Sequence, residues 1–304
     1  MDTRTQTIKT MQNKTRFSAL LLFLGPSLAV IFVFFFLPVL FAFAMSFTDY
    51  DIYSLGNFHY LRFVGLKNYS TLLSDPLFWT ALKNTFYFVL VGGPLSVATS
   101  LGAAILLNSK FIKYKGIFRL VYFLPVVTTL VAVSIVWRYF YHPRFGLLNY
   151  ILSLVGIGKI DWLGDPTFSM PAIIMLAVWK NFGYNMIIFI AGLQNIPSEL
   201  YEAASIEGAS AWKQFVHVTI PQLAPTTLFI SLITMIGYFQ LFAEPYVMTQ
   251  GGPLNSTLSI VLYMYQEGFR WWNIGYSTAI AFMLFFIIMI GTIVQFKLQK
   301  EGDE

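Results

Sequence analysis

Apolar residues fall in long blocks along this chain, with short polar segments between them. Six blocks stand out, at roughly 17–47, 82–107, 117–141, 170–193, 223–248 and 276–296. Each reaches the ~20 apolar residues that a helix needs to cross a hydrocarbon core of ~30 Å. Lipid offers no partner to backbone N–H and C=O groups, so blocks of this length are predicted to be helices. Lys9, Lys14 and Arg16 precede the first block as they would in a secretory leader. The block is too long for one and no small-residue cleavage site follows, so a retained anchor is expected. Pro38, Gly92-Gly93-Pro94 and Pro125 interrupt the blocks. Two readings of them stand: simple kinks, or breaks that let helix segments rock.

Composition agrees with a lipid-solvated chain. Of 304 residues, 57% are hydrophobic and 11% are charged, against about 25% charged in soluble domains. A soluble enzyme, a disordered chain and a nucleic-acid module are excluded. The formal charge of +5 has a simpler source than an acidic partner. Arg4, Lys9, Lys14 and Arg16 precede the first block, Lys110, Lys113, Lys115 and Arg119 lie between the second and third, and Lys297 and Lys300 follow the sixth. All fall on one side of a six-span arrangement, and the positive-inside rule makes that side cytoplasmic, with both termini inside. Tyr50, Tyr53, Trp79, Trp137, Tyr139, Trp162, Trp271 and Trp272 gather at the opposite ends, as an interfacial belt would. The outer segments, about 50–80, 142–168 and 249–275, are too short for a separate domain. The expected organisation is an N-terminal tail (1–16), one membrane domain (17–297) and a C-terminal tail (298–304). Without cysteine there are no disulfides and no thiolate metal sites.

The cytoplasmic segment 194–222 departs from the basic pattern. It carries Glu199, Glu202 and Glu207 against Lys213, and its local signals are helical. Ser198 is a candidate N-cap after Pro197, Glu199 and Glu202 suit the positive end of a helix, and Ala203-Ala204 favour helix. Gly208 is a natural stop. A second short helix is expected over 210–218, ended by Pro221. One reading is an interfacial connector. Acidic residues on its polar face would be repelled by anionic headgroups, which favours a protein partner.

Glu202-Ala203-Ala204, three residues, Gly208, nine residues, Val218, one residue and Ile220-Pro221 resemble the EAA signature of permease subunits in bacterial ABC importers. The family has Ile and Leu where this chain has Val218 and Ile220. The run GLQNIPSELYEAA, Arg119 to Pro125, Gly251-Gly252-Pro253, Tyr263, Phe269 and Gly275-Tyr276-Ser277 are similar to the carbohydrate branch. The resemblance spans about 17–297. The chain lacks the large outer insertion of the maltose permease and is closer to the glycerol-phosphate and oligosaccharide permeases. It implies an all-α protein with six transmembrane helices and the type I importer fold, in the bacterial inner membrane. It further implies a second, related permease subunit, two ATPase subunits, an external solute-binding protein and a sugar substrate. Glu202, Ala203, Ala204, Glu207 and Gly208 would form the ATPase-coupling contacts.

The chain has no GxxxxGK[ST] string and no stretch long enough for an ATPase domain, so ATP would be used by the partner subunits. His59, His142 and His217 are isolated. No metal or cofactor of its own is expected. Lys180 stands near the middle of the fourth block, where a Lys costs on the order of 2.5–3.5 kcal/mol to insert. Asn181, Tyr184 and Asn185 surround it. In the fifth block Thr227, Ser231, Thr234 and Tyr238 form a polar stripe, extended outward by Gln240 and Glu244. Helix–helix packing accounts for Thr227 and Ser231. Asn181, Tyr184, Thr234 and Tyr238 are the candidate substrate-binding residues, since sugars take hydrogen bonds and ring stacking. The resemblance supports these, because the maltose permease's sugar positions align with Asn181, Tyr184, Thr234, Gly237, Tyr238 and Leu241. The types differ at the last three. Lys180 would meet an anionic sugar or pair structurally. Two rivals are an ion-coupled secondary transporter and an integral membrane enzyme. The first should carry intramembrane acids, but Asp49, Glu244 and Glu267 all read as outer-end residues. The second needs a His or acid cluster that is not visible.

Overall fold

A computed structural model describes residues 22–57, 59, 61–109 and 112–302. The tail expected over 1–16, the start of the first block, Lys110 and residues 303–304 lie outside the described residues. Among the described residues five spans each run as one unit, Leu22–Met45, Pro76–Asn108, Pro166–Gln194, Ala224–Met248 and Ile274–Leu298, here spans one, two, four, five and six. Span three is a bent pair, Lys115–Val127 and Leu130–Phe140. Among the described residues the only β pairing is the isolated bridge of Thr48 with Phe63.

Spans two and four start alike at their N-terminal ends. Asp75 and Asp165 each precede a proline, and their carboxylates accept the N–H of Leu77 and of Thr167, both at 2.8 Å. Proline at the first helical position loses no hydrogen bond, and the aspartate satisfies an orphan donor. Span four is the most buried and forms the core, while span one is almost wholly exposed. Gly183 lets span four approach the backbone of span three, since a Cβ there would collide with the Tyr122 carbonyl.

The continuous helix expected over 117–141 is not formed. Thr128 and Thr129 are extended, with ψ of 147° and 135°, and the two halves meet at 101°. A broken helix frees carbonyls that lipid cannot satisfy. Lys180 Nζ supplies the missing donors, reaching the carbonyls of Pro125, Val126 and Thr128 at 2.9, 3.4 and 3.0 Å. Pro125 therefore precedes a break, whereas Pro38 and Pro94 sit in helices that continue through them.

Span five is also interrupted. Helix covers Ala224–Phe239, the chain leaves helix at Gln240–Phe242, and helix resumes at Ala243–Met248. The resumed piece packs against the outer half of span three, where Arg138 donates to the Val247 carbonyl at 3.3 Å. Single π-helical turns occur at Phe32–Phe36, Phe88–Gly92, Phe215–Thr219 and Gln266–Arg270. Each holds one residue more than a regular helical turn would.

Several residues quoted from the carbohydrate-branch pattern build the outer scaffold. The hydroxyls of Tyr263 and Tyr276 both donate to Asp75 Oδ2. Burial and the neighbouring carboxylate raise the Tyr263 phenol far above its ordinary range, so it stays protonated as a donor. Gly275 takes the backbone against the Thr48 carbonyl, where a Cβ would not fit. Asn149 pins the hairpin after span three. It donates to the carbonyls of Pro143 and Ile160 and accepts from Ile160 N and Trp162 Nε1.

Candidate functional site

The two interruptions face one another. A cavity of about 410 Å³ opens between them, walled by Val126 and Leu130 beside the break in span three and by Gln240 to Glu244 across the break in span five. Non-helical backbone inside a membrane is tolerated where it lines such a cavity. Span four supplies Lys180, Asn181, Tyr184 and Asn185, and span five supplies Thr234, Gly237 and Tyr238.

All four predicted substrate residues meet here. Tyr184 is 47% exposed. Asn181 is half-buried beside it. Thr234 is buried, and its hydroxyl accepts from Asn185 Nδ2 at 3.1 Å. Tyr238 is 4% exposed, and Ser96 and Asn181 are the polar neighbours of its buried hydroxyl. Its ring packs on Phe88 at 4.8 Å between centroids, and the small Gly92 leaves room for it. Both neighbours belong to the π turn of span two, a distortion that often marks functional sites. Thr227 and Ser231 do not line the cavity, so the stripe divides into a packing half and a cavity half.

Glu244, read from the sequence as an outer-end acid, belongs to the resumed helix Ala243–Met248 near the end of span five and is buried (8% exposed) in the cavity wall. Phe88, Val126 and Leu130 also contribute without any signal in their own sequence.

The segment 194–222 forms a helix at Ser198–Ile206. Gly208 closes it at φ +77°. Gly208 N–H meets the Ser205 carbonyl at 3.0 Å and Ala209 N–H meets the Ala204 carbonyl at 2.9 Å, which together make a Schellman cap. Ser198 makes no side-chain cap, because Pro197 takes that position. Ser210 caps the next helix by accepting Lys213 N–H at 3.4 Å. That helix does not stop at Pro221. The π turn at Phe215–Thr219 comes just before it, and helix continues over Ile220–Gln222. The carbonyl that proline leaves unpaired falls within this widened turn. Gln214 Nε2 braces the two helices, donating to Ser205 Oγ at 2.9 Å and to the Ala209 carbonyl at 3.2 Å. Glu202, Ala203, Glu207 and Gly208 are exposed and Ala204 is half-buried. Ile206 and Trp212, which sequence reasoning did not single out, are 88% and 71% exposed beside them. Two large apolar residues left uncovered beside a helix stop are the signal that marks them.

Residues 96–301 match the family described as "Binding-protein-dependent transport system inner membrane component". The lactose transport system permease protein LacF of Rhizobium radiobacter is 37% identical over 92% of this chain and 93% of its own length. The arabinooligosaccharides transport system permease protein AraP of Bacillus subtilis is 37% identical over 91% of this chain and 87% of its own. A chain from the crystal structure of a bacterial alginate ABC transporter, in complex with an alginate pentasaccharide-bound periplasmic protein, shares the fold. Its TM-score is 0.81 at 22% identity, over 93% of this chain and 94% of that one. Apolar spans, overall fold and sequence kinship converge. The chain belongs to the family of binding-protein-dependent transport system inner membrane components and is a non-catalytic permease subunit of an ABC importer.

Proposed function

We propose that this permease subunit passes a sugar or short oligosaccharide through the cavity between the two breaks, with Asn181, Tyr184, Thr234 and Tyr238 as its contacts. The observation that carries the reading is the convergence of these four polar side chains on one cavity between two broken helices. They offer the hydrogen-bond donors and acceptors, and the exposed tyrosine, that suit a polyol. The relatives named for lactose and for arabinooligosaccharides support the substrate class.

In this reading a second permease subunit completes the pathway and an external solute-binding protein delivers the sugar. Two ATPase subunits bind and hydrolyse ATP, and this chain holds no cofactor of its own. Glu202, Ala203, Ala204, Glu207 and Gly208 form the coupling surface, with both termini on the same cytoplasmic side. Closure of the ATPases moves the braced helix pair as one body and switches the cavity between inward and outward access. Tyr238→Phe tests the substrate site. The substitution keeps the ring packed on Phe88, so thermal stability should change little, while uptake by the reconstituted complex falls severalfold. Unchanged uptake would remove Tyr238 from the pathway.

A further inference from the structure

The hairpin after span three leaves one side of apolar and aromatic residues uncovered. Its helix, Leu147–Leu154, begins shortly after span three ends at Phe140. Residues three and four apart share a helix face. Leu147, Tyr150, Ile151 and Leu154 stand on one such face, each 47–68% exposed. The opposite face is held in place, since Asn149 is buried in the hydrogen bonds described above and Leu148 packs on the core. Phe145 before the helix and Val155 and Ile157 after it are exposed as well. The sequence has no charged residue between Arg144 and Lys159. The fold brings those two cations to one place, where both line a cavity of about 370 Å³ beside the helix with Asn149, Tyr150 and Ser153. Both are exposed, and among the described residues neither side chain has a carboxylate or hydrogen-bond partner. The acids of the hairpin are engaged elsewhere: Asp161 accepts the Gly164 N–H at 3.0 Å, and Asp165 caps span four.

Position and chemistry together identify what covers this face. Lys115, at the start of span three, donates to the Asn108 carbonyl at 3.1 Å, and Asn108 lines a pocket with Tyr201 and Gln214 of the segment 194–222. The hairpin therefore lies at the opposite end of the membrane domain. The second half of span three leads into it with Val131, Ile135, Val136 and Tyr139 exposed, so the apolar surface is continuous from the span to the hairpin. A helix with an apolar face and cations at its flank settles at a bilayer's headgroup boundary, with its aliphatic side chains among acyl carbons and its cations at the phosphates. A binding protein that docks and leaves would meet a more polar surface, because transient interfaces are about as polar as ordinary protein surface.

We propose that the hairpin after span three is a phospholipid site, in which Leu147, Tyr150, Ile151 and Leu154 rest among acyl chains while Arg144 and Lys159 hold the phosphate of an anionic headgroup. The second half of span three is then fixed at both ends, by Lys180 at its break and by lipid beyond Phe140. The proposal does not depend on the sugar-pathway reading.

The chain has no cysteine, so Ile151→Cys gives it a single attachment point for a bimane fluorophore. The whole importer, with any cysteines of its other subunits replaced, is placed in phosphatidylcholine vesicles containing either brominated phosphatidylglycerol or brominated phosphatidylcholine. Quenching of the probe is read against the mole fraction of brominated lipid. Each cation near an anionic lipid is worth about a fivefold preference. Phosphatidylglycerol should therefore reach half-quenching at a mole fraction about 5–25-fold lower than phosphatidylcholine. Arg144→Gln with Lys159→Gln should abolish the preference while both lipids still quench, and Arg144→Lys with Lys159→Arg should keep it. A probe that neither lipid quenches overturns the proposal and gives the face to a protein subunit. Quenching that disappears when the external binding protein is added gives it to that partner and overturns the proposal too. Equal quenching by the two lipids, or a preference that survives the double Gln variant, overturns the phosphate site.

Discussion

Replacing Gly208 separates two reasons for a glycine at the end of the Ser198–Ile206 helix, the proposed coupling helix. Gly208 sits at φ +77°, and a Cβ built there meets no atom within 4 Å. Nothing in the chain itself is crowded by a side chain, so the cost of Gly208→Ala is conformational. An L-residue other than glycine pays ~1–2 kcal/mol in this region. Released from the turn, the Schellman bonds from Gly208 and Ala209 open, and Gln214 loses the geometry of its brace. A penalty of that size lowers the population of the closed turn by about 5–30-fold relative to open forms. Docking of the ATPase should weaken by a similar factor, measured as ATPase-subunit binding to the purified permease pair and as coupled uptake. Asn tolerates left-handed backbone better than Ala. The strain account therefore predicts the activity order Gly, then Asn, then Ala. If glycine is there instead because the partner's surface lies against it, the larger Asn should be the worse substitution. An order of Gly, then Ala, then Asn would refute the conformational argument.

Other outcomes follow from the same structure. Lys180→Met leaves the Pro125 and Thr128 carbonyls unpaired at ~1–3 kcal/mol each, so the unfolding midpoint in detergent should fall by several degrees; an unchanged midpoint would mean the break is held by something else. Gly183→Leu should force span four from the Tyr122 backbone at a cost of at least ~1–3 kcal/mol, seen as poor recovery of folded protein, with Gly183→Ala intermediate. Asn149→Ala removes four hydrogen bonds worth ~0.5–1.5 kcal/mol each. Limited proteolysis within 143–162 should then accelerate, while uptake falls less than in the cavity variants.

The spans were legible because hydropathy is averaged over about 20 residues, and that same averaging hides the breaks. Thr128 and Thr129 are ordinary members of an apolar block. What holds them extended is a lysine 52 residues further along the chain, a contact with no local trace. Lys180 was conspicuous as an expensive residue, but its use as a cap depended on packing. That Glu244 is buried in the cavity wall was hidden for the same reason, since it follows the break at Gln240–Phe242. The helix pair within 194–222 was better foreseen, because a glycine stop is a property of a few consecutive residues. Even there Ser198 was passed over as the cap, for Pro197 beside it already sets the backbone entering the helix. The polar stripe of span five was seen as one object. Only the third dimension shows that Thr234 and Tyr238 face a cavity and Thr227 and Ser231 do not.

The π turn at Phe88–Gly92 bears on how such chains diverge. Before it, Thr85 Oγ1 accepts the Ile260 N–H at 3.0 Å; within it, Gly92 makes room for the Tyr238 ring. Deleting one residue between 88 and 92 would restore a regular helix and still leave a span of sufficient length. It would also turn the two halves by ~100° relative to each other. Thr85 and Gly92 would then no longer face their partners together. A one-residue gap in the middle of a membrane helix is therefore not an alignment error in this fold. It is the expected mark of a lineage that has lost the π turn and re-aimed the wall of its cavity.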